Sequence, residues 1–114
     1  MKRNNFSDRV IKFIITRSND ELGDLTIAKI TCMLKMSRSH LYQQFKDEKK
    51  FTPGEYLVMI KMLRSAYMLV EDQTLPIEKI AHKMGFSSTD YFKKVFRAQF
   101  GTTPGQYRNY ARQK

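Results

Sequence analysis

The chain is poor in cysteine, tryptophan and long apolar runs. Cys32 is the only cysteine in 114 residues, and tryptophan is absent. A disulfide within the chain is therefore excluded, which fits a reducing compartment. No run approaches the ~20 apolar residues of a transmembrane helix, and residues 1–5 do not lead into the apolar core of a signal peptide. We therefore expect a cytoplasmic chain with no membrane-spanning segment.

Acidic residues are scarce as well. Asp and Glu number 11 against 21 Lys and Arg, which gives a formal net charge of +10. Such an excess favours a polyanionic partner, namely DNA, RNA or an acidic membrane surface, and the alternative is a merely soluble basic protein. The chain has no glycine-rich phosphate loop, no paired cysteines and no plausible nucleophile–base set, so we expect no enzyme activity. His40 and His82 are far apart in the sequence, so we expect surface histidines, no metal site and no cofactor.

Apolar residues that recur three and four positions apart predict an all-α fold of about seven helices with no β-strand. The first helix is expected over about residues 8–17, and the polar segment 18–24 is expected to be a loop. Cys32 is expected on a buried helix face as an inert thiol. Six residues are placed to cap a helix: Ser7, Thr26, Ser37, Thr52, Ser88 and Thr103. Two cores are expected, one containing Ile30, Leu41 and Phe45, the other Ile80, Phe92 and Phe96.

Two stretches of the chain share one pattern. Residues 25, 27 and 30 match residues 75, 77 and 80 at an offset of 50. From the second helix onward the offset is 51, which links Ser37 with Ser88 and the Thr-Pro-Gly at 52–54 with the Thr-Pro-Gly at 103–105. A shared pattern that breaks only in a turn indicates a tandem duplication. Each copy consists of two short helices joined by a tight turn, which is a helix-turn-helix unit.

A long helix over residues 53–71 is predicted between the copies, because Thr52, Pro53 and Glu55 form a helix-start signal. At 1.5 Å per residue this helix would be ~28 Å long. Its apolar stripe is predicted at positions 56, 57, 60, 63, 66, 67 and 70. The expected organisation is an N-terminal helix and first helix-turn-helix over 1–52, a linker helix over 53–71 and a second helix-turn-helix over 72–114. The basic C-terminal tail, with Arg108, Arg112 and Lys114, is expected to fray.

The second copy resembles the signature of the AraC/XylS family of bacterial transcription regulators. The resemblance rests on Ile80-Ala81, Gly85-Phe86, Tyr91-Phe92, Phe96, Gly101, Thr103-Pro104 and Tyr107-Arg108. The first copy is similar through the segment Met36-Ser37-Arg38-Ser39-His40-Leu41-Tyr42, Phe45-Lys46 and Thr52-Pro53. Residues 36–39 and 61–66 also resemble the C-terminal domains of hybrid two-component regulators.

The resemblance implies a sequence-specific DNA-binding regulator whose two recognition helices enter successive major grooves of double-stranded DNA. These helices would span about residues 38–48 and 89–99. The family also allows RNA polymerase as a partner, and we expect the isolated domain to be a monomer, with dimerisation left to a full-length protein. Lys46 and Arg97 are the implied phosphate contacts. The implied base-reading residues are Arg38, Ser39, Tyr42 and Gln43 in the first helix and Thr89, Asp90, Lys93 and Lys94 in the second.

Several assignments stay open at the level of sequence. Tyr42 and Gln43 could form a solvated face, although the same face is polar in both copies. Asp90 is either a favourable charge at a helix start or an acceptor for the amino group of cytosine. Lys50 stands where the second copy has Gly101, and a left-handed backbone at Lys50 would cost on the order of 1 kcal/mol. The alternative functions are a non-specific basic nucleic-acid binder and a helical protein-interaction module.

Overall fold

A computed structural model of the chain describes residues 6–113, and its regular structure in that range is entirely helical. The all-α prediction is confirmed, with one helix more than the expected seven among the described residues. The two recognition helices and the long helix agree with the predicted bounds to within one residue. In chain order the helices are α1 (Phe6–Ile15), α2 (Asn19–Asp24), α3 (Ile27–Met33), α4 (Arg38–Glu48), α5 (Pro53–Glu71), α6 (Ile77–Lys83), α7 (Thr89–Phe100) and α8 (Pro104–Arg112).

The chain divides into two compact units, Met1–Ile60 and Lys61–Lys114. The division falls inside α5, which is one unbroken helix from Pro53 to Glu71. Each unit contains one helix-turn-helix, formed by α3 and α4 in the first unit and by α6 and α7 in the second. Each unit also has its own buried core.

The core of the first unit lies between α3 and α4. Ile30 of α3 and Leu41 and Phe45 of α4 are completely buried, as predicted. Helix α1 packs against α4 and contributes Val10 and Ile14 to the buried residues. Because Leu41 and Phe45 are four residues apart, they lie on one face of α4 and leave the opposite face to solvent.

The core of the second unit is aromatic. Ile80 of α6 and Phe92 and Phe96 of α7 are completely buried, as predicted. The Phe96 ring meets Tyr107 of α8 edge to face, with 5.6 Å between ring centroids and an interplanar angle of 82°. This is the geometry that the quadrupoles of two aromatic rings favour. Helix α7 is therefore held between α6 and α8, again by one face only.

Hydrogen-bonded caps begin five helices at predicted residues, namely Thr26, Ser37, Thr52, Ser88 and Thr103. Ser37 Oγ accepts the His40 N–H at 3.0 Å at the start of α4, and Ser88 Oγ accepts the Tyr91 N–H at 3.2 Å at the start of α7. These bonds satisfy donors that the first helical turn leaves without a backbone partner. Thr26 caps α3 in the same way. Capping boxes begin α5 and α8, formed by Thr52 with Glu55 and by Thr103 with Gln106.

Residues 18–24 contain α2, so the prediction of a loop there was wrong. Ser18 Oγ accepts the Glu21 N–H at 3.2 Å, and Glu21 Oε1 accepts the Ser18 N–H at 2.9 Å. This is a complete capping box, which stabilises a helix start without any apolar periodicity. Leu22, the one large apolar side chain of the segment, is completely buried and fixes α2 against the first unit. The polar composition of this segment suggested a loop, whereas its Ser-x-x-Glu spacing is the signal of a helix start.

Ser7 does not cap the first helix, contrary to the prediction. It lies inside α1, is completely buried and donates both its backbone N–H and its hydroxyl to Glu48 Oε1 at the end of α4. Lys49 forms a salt bridge of 3.2 Å with Asp8 beside it. One N–H group in the first turn of α1, that of Ser7, is therefore satisfied by a side chain of α4.

Helix α5 buries different faces in its two halves, and this corrects its predicted apolar stripe. Tyr56, Leu57 and Ile60 are buried, as predicted, in the first unit. In the second unit Leu63, Tyr67 and Val70, which continue that stripe, are exposed. Of the predicted stripe only Ala66 is buried there, together with Met62, Ser65, Met68 and Leu69. The apolar stripe of α5 therefore changes face between the half in the first unit and the half in the second.

The strained turn of the first unit lies at Lys35, not at Lys50. Lys35 has a φ of 55° and is the only non-glycine residue with positive φ in the described part of the chain. It matches Gly85, which has a φ of 88° in the corresponding turn of the second unit. After α4 the chain leaves through Lys49 in an extended conformation, whereas α7 ends on left-handed Gly101. Lys50 therefore carries no left-handed strain, because the turn after α4 differs from the turn after α7.

The C-terminal helix is tied down at residues that were expected to fray. Arg108 is buried and donates from Nε to the Leu69 carbonyl at 3.0 Å and from Nη2 to the Asp72 carbonyl at 3.1 Å. Arg112 donates to the side chain and the carbonyl of Gln73. Both arginines therefore bind the end of α5, while Lys114 lies outside the described residues.

The expectation of a buried thiol at Cys32 was also wrong, because Cys32 is exposed. It lies two positions after the buried Ile30, which places it about 200° around the helix from the core.

Candidate nucleic-acid interface

The outward face of α4 is polar and basic. Arg38, Ser39, Gln43 and Lys46 are exposed, while Tyr42 is half-buried. Ser39, Gln43 and Lys46 follow the spacing i, i+4 and i+7, so they form one stripe opposite the buried Leu41 and Phe45. A stripe of hydrogen-bonding side chains on an exposed helix is what the major groove can accept.

Tyr42 lies between this face and the start of α5. The Arg38 guanidinium packs over the Tyr42 ring, and its carbon lies 5.4 Å from the ring centroid. This distance is within the range of a cation–π contact. A Cβ atom added at Gly54 would lie 3.1 Å from the Tyr42 hydroxyl oxygen, so Gly54 leaves room for the end of the side chain. Tyr42 is therefore a support for Arg38 as much as a candidate contact of its own.

The outward face of α7 repeats the arrangement in the second unit. Asp90, Lys93, Lys94 and Arg97 are exposed, and Thr89 is half-buried. Asp90, Lys94 and Arg97 form the i, i+4, i+7 stripe that corresponds to the one on α4. Asp90 lies in the first turn of α7, where a negative charge interacts favourably with the helix dipole.

Two exposed aromatic side chains on these helices, Tyr91 and His40, were not predicted from the sequence as DNA contacts. Tyr91 on α7 is 59% exposed, and its ring packs against Phe86 at a centroid distance of 5.9 Å. His40 on α4 is exposed and meets the Phe6 ring of α1 at 5.1 Å. The signal for Tyr91 was its spacing of three residues from Lys94, which places both on the outward side of α7.

Within residues 6–113 no group of three or more His, Cys, Asp or Glu side chains is arranged to hold a metal ion. None of the helices in this range has the length and apolar character needed to cross a membrane.

A family model described as a helix-turn-helix domain, of AraC type, matches residues 30–110. The chain belongs to the AraC-type helix-turn-helix family. The match begins within α3 and includes the whole of α4, α5, α6 and α7, so it covers both outward faces described above. The domain is therefore of the DNA-binding type that this family of transcription regulators carries.

Similar proteins extend the comparison. Histidine kinase P4 of Formosa agariphila is 38% identical over 97 residues, which cover 85% of this chain and 7% of that protein. The Msm operon regulatory protein of Streptococcus mutans is 34% identical over 103 residues, which cover 90% of this chain and 36% of that protein. The crystal structure of a DNA-binding transcriptional dual regulator from Escherichia coli K-12 has a TM-score of 0.82 at 28% identity, covering 100% of this chain and 98% of that one. The AraC-type domain therefore spans only a small part of the two relatives.

Proposed function

We propose that α4 and α7 are the recognition helices and that they enter successive major grooves on one face of double-stranded DNA. In this proposal residues 1–52 and 72–114 each supply one recognition helix, and residues 53–71 set the distance between them. The observation that carries the proposal is the repetition of one outward stripe at an offset of 51, because two matched helices on a +10 chain suit two matched grooves.

Base reading is assigned to the side chains nearest the start of each helix. Arg38 can donate two hydrogen bonds to guanine, Gln43 can pair with adenine, and Lys94 can donate to guanine. Ser39 and Thr89 can contact any base, and Lys93 shares the position of Tyr42 in the other copy. Asp90 is kept as either a helix-start charge or an acceptor for cytosine.

Phosphate binding is assigned to Lys46 and Arg97. Both are exposed, both lie one or two turns beyond the base-reading residues, and they occupy matching positions in the two units. Contacts of this type add affinity for any DNA sequence and release condensed counterions.

The wider context follows from the relatives. Since the relatives are longer than this chain, we propose that the domain is the output part of a larger bacterial regulator. The histidine kinase relative favours a hybrid two-component system as that larger protein. Cytoplasmic DNA would be its target, with RNA polymerase as the protein partner of a transcription regulator. The isolated domain would bind its site as a monomer.

A salt titration on a selected DNA site and on a scrambled duplex tests the assignment. Lys46→Ala and Arg97→Ala should weaken binding to both duplexes and lower the salt slope by about one unit each. Gln43→Ala and Lys94→Ala should instead lose about 1–3 kcal/mol on the selected site only. Lys12→Ala is the matched control, because it removes one exposed positive charge from α1.

The outcome also separates the alternative functions. Equal losses for all four variants on both duplexes would show that the base-reading assignment is wrong and favour a non-specific nucleic-acid binder. Failure of the unmodified domain to bind any selected duplex more tightly than the scrambled one would favour a protein-interaction module.

A further inference from the structure

An apolar stripe is exposed on the second half of α5. Leu63, Tyr67 and Val70 follow the spacing i, i+4 and i+7 and are 49%, 64% and 39% exposed. Tyr110 of α8, in the same unit, is 64% exposed. Large apolar side chains grouped on one surface mark interaction sites more often than single exposed ones do.

An open groove adjoins this stripe on its α8 side. It has a volume of about 680 Å³ and is lined by Val70 together with Thr102 and residues of α8 that include Tyr107, Tyr110 and Ala111. Val70 belongs both to the stripe and to the groove, so the two form one continuous surface of the second unit. We call it the α5 surface.

Two opposite charges flank the stripe on the other side. Arg64 and Glu71 are seven residues apart, so they lie about 20° from each other around the helix. Both follow the stripe by one position, Arg64 after Leu63 and Glu71 after Val70. The flank therefore has a positive end towards the N-terminus of α5 and a negative end towards its C-terminus.

We propose that the α5 surface binds a second copy of the same chain, with the two α5 helices antiparallel about a two-fold axis near Tyr67. In antiparallel packing the same flank of each helix meets its counterpart running in the opposite direction. Arg64 of each copy then faces Glu71 of the other, and the stripes of Leu63, Tyr67 and Val70 cover each other.

The charge order selects this occupant and this direction. In a parallel second copy the flank with Arg64 and Glu71 would face the opposite flank of the other helix. That flank carries the buried Met62, Ala66 and Leu69, so it offers no opposite charge to either residue. The antiparallel copy forms two equivalent ion pairs, as an interface with two-fold symmetry requires. Arg64 has another interaction within its own chain, but a guanidinium has five N–H donors and can bind a carboxylate as well.

The proposed contact is weak because its area is small and both copies carry a large positive charge. Two stripes of this length bury less than the ~1,200 Å² of total area that separates transient from stable interfaces. The net charge of +10 on each copy also opposes association in solution. DNA phosphates would neutralise much of that charge, and neighbouring DNA sites would raise the effective concentration of the second copy.

Sedimentation of charge-reversed variants without DNA tests the proposal independently of the proposed function. The unmodified domain should associate weakly at high concentration, and Arg64→Glu or Glu71→Arg alone should weaken self-association at least about tenfold. The two variants mixed together should associate with each other, because each restores the opposite charge that the other lacks. The double variant R64E/E71R should self-associate like the unmodified domain.

Matched controls carry the same charge changes away from the α5 surface. Glu78→Arg and Lys79→Glu are on exposed positions of α6 and should leave association unchanged. Circular dichroism and thermal melting check that every variant is folded. If Arg64→Glu does not fold, Tyr67→Asp replaces it and should abolish association without lowering the melting temperature, because Tyr67 is exposed.

Three results would overturn the proposal. The first is an unmodified domain that stays monomeric at the highest concentration reached. The second is a mixture of the two charge-reversed variants that does not associate. The third is an effect of the α6 control variants on association as large as that of the α5 variants. None of them bears on DNA binding.

Discussion

Lys35 holds a backbone conformation that suits glycine. For an L-residue the left-handed region costs about 1–2 kcal/mol, while glycine loses roughly 0.5–1 kcal/mol more conformational entropy on folding. Lys35→Gly should therefore stabilise the first unit by about 0.5–1 kcal/mol. Urea unfolding followed by the methyl signals of the buried Ile30 measures the change.

Lys50→Gly is the control for this prediction. Its backbone φ is not positive, so glycine relieves no strain there and should leave the first unit unchanged or slightly less stable. A larger gain at Lys50 than at Lys35 would contradict the geometry of the two turns.

Arg108 is a buried cation whose described hydrogen bonds go to backbone carbonyls. Burial lowers the pKa of its guanidinium, the neighbouring Arg112 lowers it further and Asp72 raises it, yet an arginine stays protonated at any ordinary pH. Arg108→Ala would leave the carbonyls of Leu69 and Asp72 without these donors. We expect the second unit to lose about 1–3 kcal/mol of stability in urea unfolding followed at Ile80.

Arg112→Ala is the matched change on the same helix. Arg112 is exposed and its partner Gln73 can bond to water instead, so the loss should stay within about 0.5 kcal/mol. Equal losses of stability in both variants would show that the burial of Arg108 does not increase the contribution of its hydrogen bonds.

At the scale of the helices, one carboxylate, that of Glu48, accepts both hydrogen bonds from Ser7 at the start of α1. The hydroxyl and then the N–H of Ser7 hold the pKa of Glu48 below its ordinary value of 4.5. A lowered pKa means that the contribution to stability is complete above that ordinary value and is lost as the pH falls through the folded value. Acid should therefore release the start of α1 from the end of α4.

An NMR titration of the Glu48 carboxyl checks this prediction. The midpoint should lie below 4.5 in the unmodified domain and should rise in Ser7→Ala, which removes the larger of the two bonds. Glu21 provides the internal control, because Ser18 lowers its pKa and Ser7→Ala should leave its midpoint where it was. An unchanged Glu48 midpoint would mean that Ser7 does not set it.

The helices that sequence reasoning located well are those with two agreeing signals. For α4 and α7 a serine cap and apolar residues at helical spacing both marked the element, so their bounds and buried residues followed. Helix α2 had a capping box but no apolar stripe, and it was missed. The second half of α5 had an apparent stripe, but that stripe continued the face used by the other core.

Contacts between residues far apart in the sequence limited the prediction of the site as well. The outward faces of α4 and α7 could be assigned from periodicity alone. The Arg38–Tyr42 contact joins positions i and i+4 of one helix and is local. The space that Gly54 leaves for Tyr42, in contrast, depends on the start of α5 lying close to α4. The bonds from Arg108 to the end of α5 join residues 36 and 39 positions apart, a relation that no local pattern carries.

For the whole molecule the proposed function predicts an asymmetric DNA site. The two stripes differ at each matched position, for example Ser39 against Asp90 and Gln43 against Lys94. One monomer should therefore read two different half-sites, centred roughly 34 Å or 10–10.5 base pairs apart if the recognition helices lie in successive grooves.

Footprinting with an insertion of about five base pairs between the half-sites tests this spacing, since half a turn moves them to opposite faces of the duplex. Protection of one half should vanish and the affinity should drop, whereas an insertion of about ten base pairs keeps the face but lengthens the distance. We expect the first unit to be the one released, because its turn carries the strain at Lys35. Full protection of both halves after the shorter insertion would exclude a fixed separation.

The division of the chain inside α5 has a consequence for exchanging parts between related regulators. A junction in the segments before Pro53 or after Glu71 would separate one core from the part of α5 that completes it. In either case α5 stays a complete helix, but the side chains that it presents to one of the two cores come from the other parent and need not fit that core. A junction between Ile60 and Lys61 leaves each core with its own side chains and the helix unbroken. Genes for hybrid regulators should therefore be joined between Ile60 and Lys61, in the middle of α5, and not in a loop.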